Sequence, residues 1–417
     1  MSLHRRDFLK AGLTGSSLVA FGASTVPGFL GKTAAGASVA TDRGERVLVV
    51  VQLLGGNDGL NTVVPFKDPG YDRARKVLRM NSGQLISVND ELGLHPSLGG
   101  FGKLLESGRL SILQGVGYPN PDRSHFRSME IWETARLDHG RDSLDTGWLG
   151  RTIDRTGGEA ASESIPAMSL GGQGLPLALK SSRRSALAVQ GLEQFHLRLS
   201  EKQAARQSEA AALQNVASVA QPADPVLDFV RRSTLAAYQS SQTLEKLLDD
   251  KGTGVTYPGS GLGQRLSSIA RIIRAGFPTP IFYTTLDGFD THANQPGAHA
   301  ALLSELGDAL SAFEADLKSS GQAERVTTLV FSEFGRRVEE NASSGTDHGA
   351  AAPAFVLGPL ARPGLVGAHP SFDDLDDGDL KHHTDFRRIY ASLLSEWLKL
   401  DASAVLGPGF EPLGLFA

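Results

Sequence analysis

Apolar residues along the chain fall into two patterns. Uninterrupted runs at Val47-Leu48-Val49-Val50-Val51-Gln52-Leu53 and from Val326 to Phe331 read as strands buried on both faces. Weaker runs of the same kind lie at Leu110 to Val116, Pro280 to Leu286 and Ala354 to Leu357. Between them the spacing turns helical. Leu302, Leu303, Leu306, Leu310, Phe313 and Leu317 recur at intervals of three and four, as do Phe386, Ile389, Tyr390, Leu393, Leu394 and Trp397, with Thr384 placed as an N-cap. Strands alternating with helices predict an α/β fold: a large, mostly parallel sheet flanked by helices on both faces.

Two segments stand outside this alternation. From about Leu192 to Asp250 the chain is rich in Ala, Gln, Ser, Glu and Leu, with Pro222 and Pro225 dividing it. This predicts a helical insertion over residues 192–260, which either shapes access to a cleft or simply covers one face of the sheet. At the other extreme, His4-Arg5-Arg6-Asp7-Phe8-Leu9-Lys10 sets paired arginines before a weakly apolar, Gly- and Ala-rich stretch. Small residues follow at Ala35-Gly36-Ala37 and Ser38-Val39-Ala40. That order reads as a twin-arginine secretion signal over residues 1–40, cleaved after Ala37 or Ala40, with residues 41–417 as the exported domain. Gly12, Gly15, Gly22 and Pro27 break the stretch too often for a packed helix or a membrane span. The expected partner is the twin-arginine translocation machinery, and the expected location periplasmic or secreted, with no membrane span in the mature chain.

Composition narrows the chemistry. The chain has no cysteine, so any metal is held by His, Asp, Glu or hydroxyl groups. Its net charge is -5. The signal carries Arg5, Arg6, Lys10 and Lys32 against Asp7, which leaves the remainder at about -8 and argues against a nucleic-acid partner.

Ligands of open α/β sheets sit beyond the carboxyl ends of the strands, and there the sequence concentrates polar groups. Gly55-Gly56-Asn57-Asp58-Gly59 follows the first run, and Arg123-Ser124-His125 follows the run ending at Val116. Asp290-Thr291-His292 follows the run ending near Leu286. Ser332-Glu333-Phe334-Gly335-Arg336 and then Asp347-His348 follow the run ending at Phe331. Taken singly, each is also an ordinary turn or cap. Together, two Asp/His pairs suit one or two divalent ions, zinc foremost, with manganese, iron or calcium also compatible. Ser124 is a candidate nucleophile entering a helix N-terminus, or only its cap. Arg123, Arg127 and Arg336 are candidate bidentate contacts to an oxyanion. His382 and His383 either bind metal or precede the last helix as caps.

The stretches Val49 to Phe66, Gln114 to Trp132, Thr146 to Arg151, Gly288 to His292, Phe331 to Arg336, Gly345 to Gly349 and Thr384 to Tyr390 resemble, in this order, the exported bacterial proteins catalogued as DUF1501. That family is related to the alkaline phosphatase and sulfatase superfamily. The resemblance implies an alkaline phosphatase-like sheet with a two-metal site at the strand ends. It implies Asp58 as the early ligand, Ser124 as the nucleophile, and Asp290 with His292 and Asp347 with His348 as metal pairs; from the residues themselves, His125 beside Ser124 and Arg336 complete the expected catalytic set. Where the superfamily has a late histidine this chain offers Asp385, just after His382 and His383. The Asp290-x-His292 spacing is also tighter than the usual pair, as if one of the two supports the site without binding. The formylglycine branch of the sulfatases fits poorly, because Ser124-His125-Phe126-Arg127 lacks the proline of that motif. The expectation is an exported metal-dependent hydrolase acting on a phosphate or sulfate ester of a small molecule or polymer. The alternatives are an inactive sheet scaffold that binds an envelope partner or polymer, and a metal-dependent transferase or mutase.

Overall fold

The structure, a computed structural model, describes residues 46–138, 145–155, 165–172, 174–184, 186–191 and 252–417. The expected signal over residues 1–40 lies outside the described residues, as does most of the expected helical insertion. Its described end, residues 252–260, is irregular.

The two strongest apolar runs are the middle of the sheet. Strands β1 (Val47–Leu54), β2 (Leu110–Gly117), β3 (Ala167–Leu170), β4 (Leu187–Val189), β5 (Ile281–Asp287), β6 (Val326–Ser332), β7 (Ala352–Leu357) and β8 (Gly364–Val366) lie in the order β8-β2-β7-β6-β1-β5-β3-β4. A short strand β9 (Thr384–Asp385) pairs in parallel with the end of β2. All neighbours are parallel except β7, which is antiparallel to both β2 and β6. Alternate residues of β1 feed two cores. Val47, Val49, Val51 and Leu53 join one face, while Leu48 and Val50 join the other. A strand covered on both sides must be apolar throughout, which is why β1 shows no alternation in its sequence.

Helices α1 (Gly99–Glu106), α4 (Gly261–Arg274) and α5 (Gln295–Ser319) cover the first face. Helices α2 (His125–Thr134), α3 (Trp148–Ile153) and α6 (Phe386–Ala391) cover the second, where Trp132 stacks on Phe331 and Phe386. The periodic segment near Leu302–Leu317 is thus α5. The C-terminal one divides into α6 and a π-helical stretch, Ser392–Trp397. Its cap is Asp385, whose side chain accepts from Arg387 N, and Thr384 is a strand residue instead. Among the described residues no helix is long and apolar enough to cross a membrane.

Candidate metal centre

Because β1, β2, β5 and β6 run the same way, their carboxyl ends share one edge of the sheet. The antiparallel β7 starts at that same edge, so the segment leading into it, with Asp347 and His348, arrives there too. A bridge between Arg336 and His348 folds the intervening loop back on itself.

Four side chains from three of these loops come together, and the ligand atoms of His125, Asp290 and His348 all lie within 4.8 Å of one another. Asp290 Oδ1 lies 3.0 Å from His292 Nε2, 3.1 Å from His348 Nε2 and 3.5 Å from His125 Nε2. His348 Nε2 is also 3.0 Å from His125 Nε2 and 2.9 Å from His292 Nε2. The opposite nitrogen of each ring faces an acceptor. His125 Nδ1 is 2.7 Å from Glu333 Oε1, His292 Nδ1 is 3.1 Å from Asp347 Oδ1, and His348 Nδ1 is 2.8 Å from the Arg123 carbonyl. A carbonyl or carboxylate can only accept, so each Nδ1 carries a proton, and in the neutral ring Nε2 turns its lone pair inward. Three lone pairs and a carboxylate oxygen then face one another with no donor among them, an arrangement that a cation resolves. Ligand atoms held at roughly 2.0–2.2 Å from a divalent ion sit roughly 3 Å apart, the spacing seen here. Imidazoles whose second nitrogen is fixed by a carboxylate or carbonyl are the usual metal-ligand arrangement.

The surroundings tune these groups. Burial pushes the Asp290 carboxyl up, but Arg336, by hydrogen bond and charge, and the adjacent His348 and His292 outweigh it, leaving a pKa of about 2. The hydrogen bond to Glu333 raises His125, against a smaller opposing effect of burial, whereas burial chiefly lowers His348. Hydrogen bonds from Asn341 and His292 lower Asp347. The Phe334 ring packs 4.8 Å from His125 and 4.9 Å from His348, giving the cluster an apolar floor. Gly55, at φ +113°, lets the β1 turn pass so close to the Asp290 loop that a Cβ there would lie 2.4 Å from Asp290 N.

The remaining sequence candidates are placed otherwise. Asp58 is fully buried and gives both oxygens to Arg75, at 2.7 and 3.0 Å, with Gln295 Nε2 at 2.5 Å. It is therefore the counter-charge of an arginine whose other donors hold the Arg337 and Val338 carbonyls. Asp385 caps α6 and pairs with Arg387 at 2.6 Å, away from the histidine cluster in all its contacts. Arg336 is buried and donates to the carbonyls of Gly55, Gly56, Phe289 and Thr346 and to Asp290 Oδ1, so it positions Asp290 and has no fork free for an oxyanion. Arg123 is held by Asp377 and Asp379, and Arg127 by Glu130 and the Leu137 and Asp138 carbonyls. His383 bonds to Thr384 and the Ala368 carbonyl. Ser124 occupies the N-cap of α2, exposed, with its side chain making no cap hydrogen bond.

His125 joins the cluster as a ligand candidate and not only as a neighbour of the nucleophile, and Asp347 stands behind His292. Glu333 has the role least visible in the sequence. It is 1% exposed and takes Gly55 N and His125 Nδ1 on one oxygen. A carboxylate directly after a fully buried strand was its only signal.

Residues 45–397 match the family described as "Protein of unknown function (DUF1501)". No curated protein matches the chain. Among solved structures, the chain is similar to the murine ectonucleotide pyrophosphatase/phosphodiesterase 5, an inactive form in complex with AMP (10% identity, 86% of this chain and 96% of that one, TM-score 0.39). It is similar also to a sulfatase from Pseudoalteromonas sp. (11%, 89% and 70%, TM-score 0.34). A third is a protein in the alkaline phosphatase superfamily from Vibrio parahaemolyticus (9%, 86% and 69%, TM-score 0.34). The chain belongs to the DUF1501 family.

Proposed function

We propose that this DUF1501 chain is an exported, metal-dependent hydrolase of a phosphate or sulfate ester, with one divalent ion held by His125, Asp290, His292 and His348. The observation that carries the reading is the convergence of three imidazole Nε2 atoms on one carboxylate oxygen. Asp58 and Asp385 are each occupied by an arginine, so the residues favour one ion over the two that the family resemblance implies. Zinc suits three imidazoles and one carboxylate. Such an ion would polarise the ester and lower the pKa of a nucleophile.

The chain's own groups divide the remaining work. Arg336 and Glu333 hold Asp290 and His125 in place. Helix α2 starts at His125 with no side chain capping its first amides, which leaves that end open to an anion beside the cluster. Ser124, with an uncommitted hydroxyl one residue before a ligand, is the candidate nucleophile. Export rests on the Arg5-Arg6 signal and remains part of the proposal.

The test is metal analysis of protein recovered after export, together with turnover of p-nitrophenyl phosphate and p-nitrophenyl sulfate. The expected result is one tightly held ion per chain and activity lost on chelation and restored by zinc. Less than one ion per chain, or turnover indifferent to chelation, overturns the reading. Ser124→Ala separates the roles: loss of turnover with the ion retained marks a nucleophile, and unchanged turnover assigns Ser124 to the helix end alone.

A further inference from the structure

The ladder between β2 and β7 is broken at one point. Between the paired positions Leu113–Ala354 and Val116–Ala352, β2 carries Gln114 and Gly115 where β7 has Pro353 alone. A bulge of this kind leaves a residue unpaired and re-aims its side chain. Proline has no N–H, so β7 offers no donor to the ladder at that position. Gly115 makes the turn at φ +54°, and a Cβ there would run into the His383 ring.

A cavity of about 10 Å³ lies at this break, the room of a single water molecule. Its walls include the apolar Leu60, Val63 and Pro353, and three polar side chains, Gln114, Arg336 and His369. Arg336 has nothing left to offer, because its nitrogens already donate to four carbonyls and Asp290. Gln114 is different. It is 2% exposed, and its Nε2 has no hydrogen-bond partner among the described residues. A buried amide donor left without an acceptor is costly to maintain. His369 Nδ1 lies 2.7 Å from the Pro370 carbonyl and so carries a proton. Burial lowers the pKa of this histidine, which keeps the ring neutral near pH 7 and makes Nε2 an acceptor. That Nε2 forms no hydrogen bond among the described residues. One cavity is thus lined by a donor lacking an acceptor and by an acceptor lacking a donor.

We propose that the bulge holds one ordered water, which accepts from Gln114 Nε2 and donates to His369 Nε2. Water meets both demands at once. An anion would face the His369 lone pair, a cation would face the amide hydrogens, and the apolar walls favour neither. The bridge fastens the segment after β8, through His369, to the strand that leads into the His125 loop. It stands whether or not the histidine cluster binds metal.

A crystal structure of the full chain that resolves single waters tests the site directly. The expected result is one water within about 3.2 Å of both Gln114 Nε2 and His369 Nε2. A dry cavity, a water out of reach of either nitrogen, or an amide turned onto a protein acceptor overturns the proposal. The wild-type structure decides this even where a variant does not fold. Gln114→Met keeps a side chain of similar length and removes the amide, so the water should be lost. Amide hydrogen exchange at Gly367, Ala368 and His369 should then be about tenfold faster, the worth of one hydrogen bond. Unchanged exchange, or a water still seated in the variant, overturns the bridge.

Discussion

Two groups of histidine and carboxylate lie along the same sheet edge, and they differ in one respect. In the inner group, Asp58 meets Arg75 and Gln295, and His299 Nε2 lies 2.9 Å from Asn57 Oδ1. Asp58, Arg75, Gln295 and His299 are all buried. Each charge has a counter-charge there, and each polar group a partner of the opposite hydrogen-bonding sense. In the outer group, His125, Asp290, His292 and His348 are partly exposed, and their lone pairs face one another. The same residue types make a sealed strut in one place and an unsatisfied pocket a few side chains away. What separates a ligand set from a structural network here is how the hydrogen-bond capacity is used, not the residues or their location.

The largest effect expected from breaking this contrast is on metal. His125→Ala with His348→Ala removes two of four ligand candidates from a partly exposed site. Metal per chain should fall from one to near zero, and the thermal shift on adding zinc, which reflects binding to the native state alone, should vanish. Mass spectrometry of the native protein reads the first, and a melting curve with and without zinc the second. Retention of a stoichiometric ion by the double variant would place the metal elsewhere.

The inner group should answer in stability instead. Arg75→Met leaves a fully buried Asp58 without its counter-charge, and losing one partner of such a pair costs about 3–5 kcal/mol. Asp58→Asn added to Arg75→Met should recover a large part of that loss, because the stranded charge is then gone. Denaturant unfolding of the chelated protein measures both. A deficit for the single variant that the double variant does not recover would show that the Arg75 bonds to the Arg337 and Val338 carbonyls matter more than the pair.

The legibility of the two groups in the sequence follows from the same contrast. Strands β1 and β6 are unmistakable because burial on both faces leaves continuous apolar runs, and once they are placed the polar segments after them must share an edge. That reasoning brings His125, Asp290, His292, Asp347 and His348 to one edge, where the folded chain sets them side by side. The pairing of Asp58 is hidden for a physical reason: its partner Arg75 sits in an unremarkable segment, and sequence order does not show that a carboxylate is already paired. The partners that occupy Arg336 and Asp385 are hidden in the same way, since only the folded chain brings them together. The orientation of β7 was also hidden, since an antiparallel strand buried on both faces has the same composition as a parallel one. That orientation is what carries His348 to the cluster.

Acid sharpens the comparison next. Burial holds His299 well below its ordinary value of 6.5, at about 4. The folded pKa therefore lies below the unfolded one, and the unfolded chain takes up the proton first as pH falls. The stabilisation is complete above pH 6.5, declines between there and 4, and levels off below; over that window it amounts to roughly 3 kcal/mol. Unfolding free energies of the chelated protein from pH 7 to pH 4 should show this slope, and His299→Gln should flatten it. An unaltered slope in the variant would trace the acid sensitivity to other groups.

The smallest effect expected separates two carboxylates that orient ligands from outside the cluster. Glu333 and Asp347 each hold the Nδ1 of one histidine, but the Glu333 side chain is 0% exposed and that of Asp347 is 58% exposed. Solvent screens Asp347, so neutralising it removes little of the field at the imidazole. Glu333 acts through protein alone and also anchors Gly55 N, which ties β1 to β6 at the edge. Glu333→Gln keeps an acceptor oxygen of the same shape and removes only the charge, and outer-sphere changes of this kind weaken metal affinity about 10- to 100-fold. Asp347→Asn should change it by less than about threefold under the same screening argument. Competition with a chromophoric chelator measures both affinities on folded protein. Equal losses from the two variants would mean that burial does not set their influence, and that the ligand nitrogens are held by ring packing on Phe334 more than by the charges behind them.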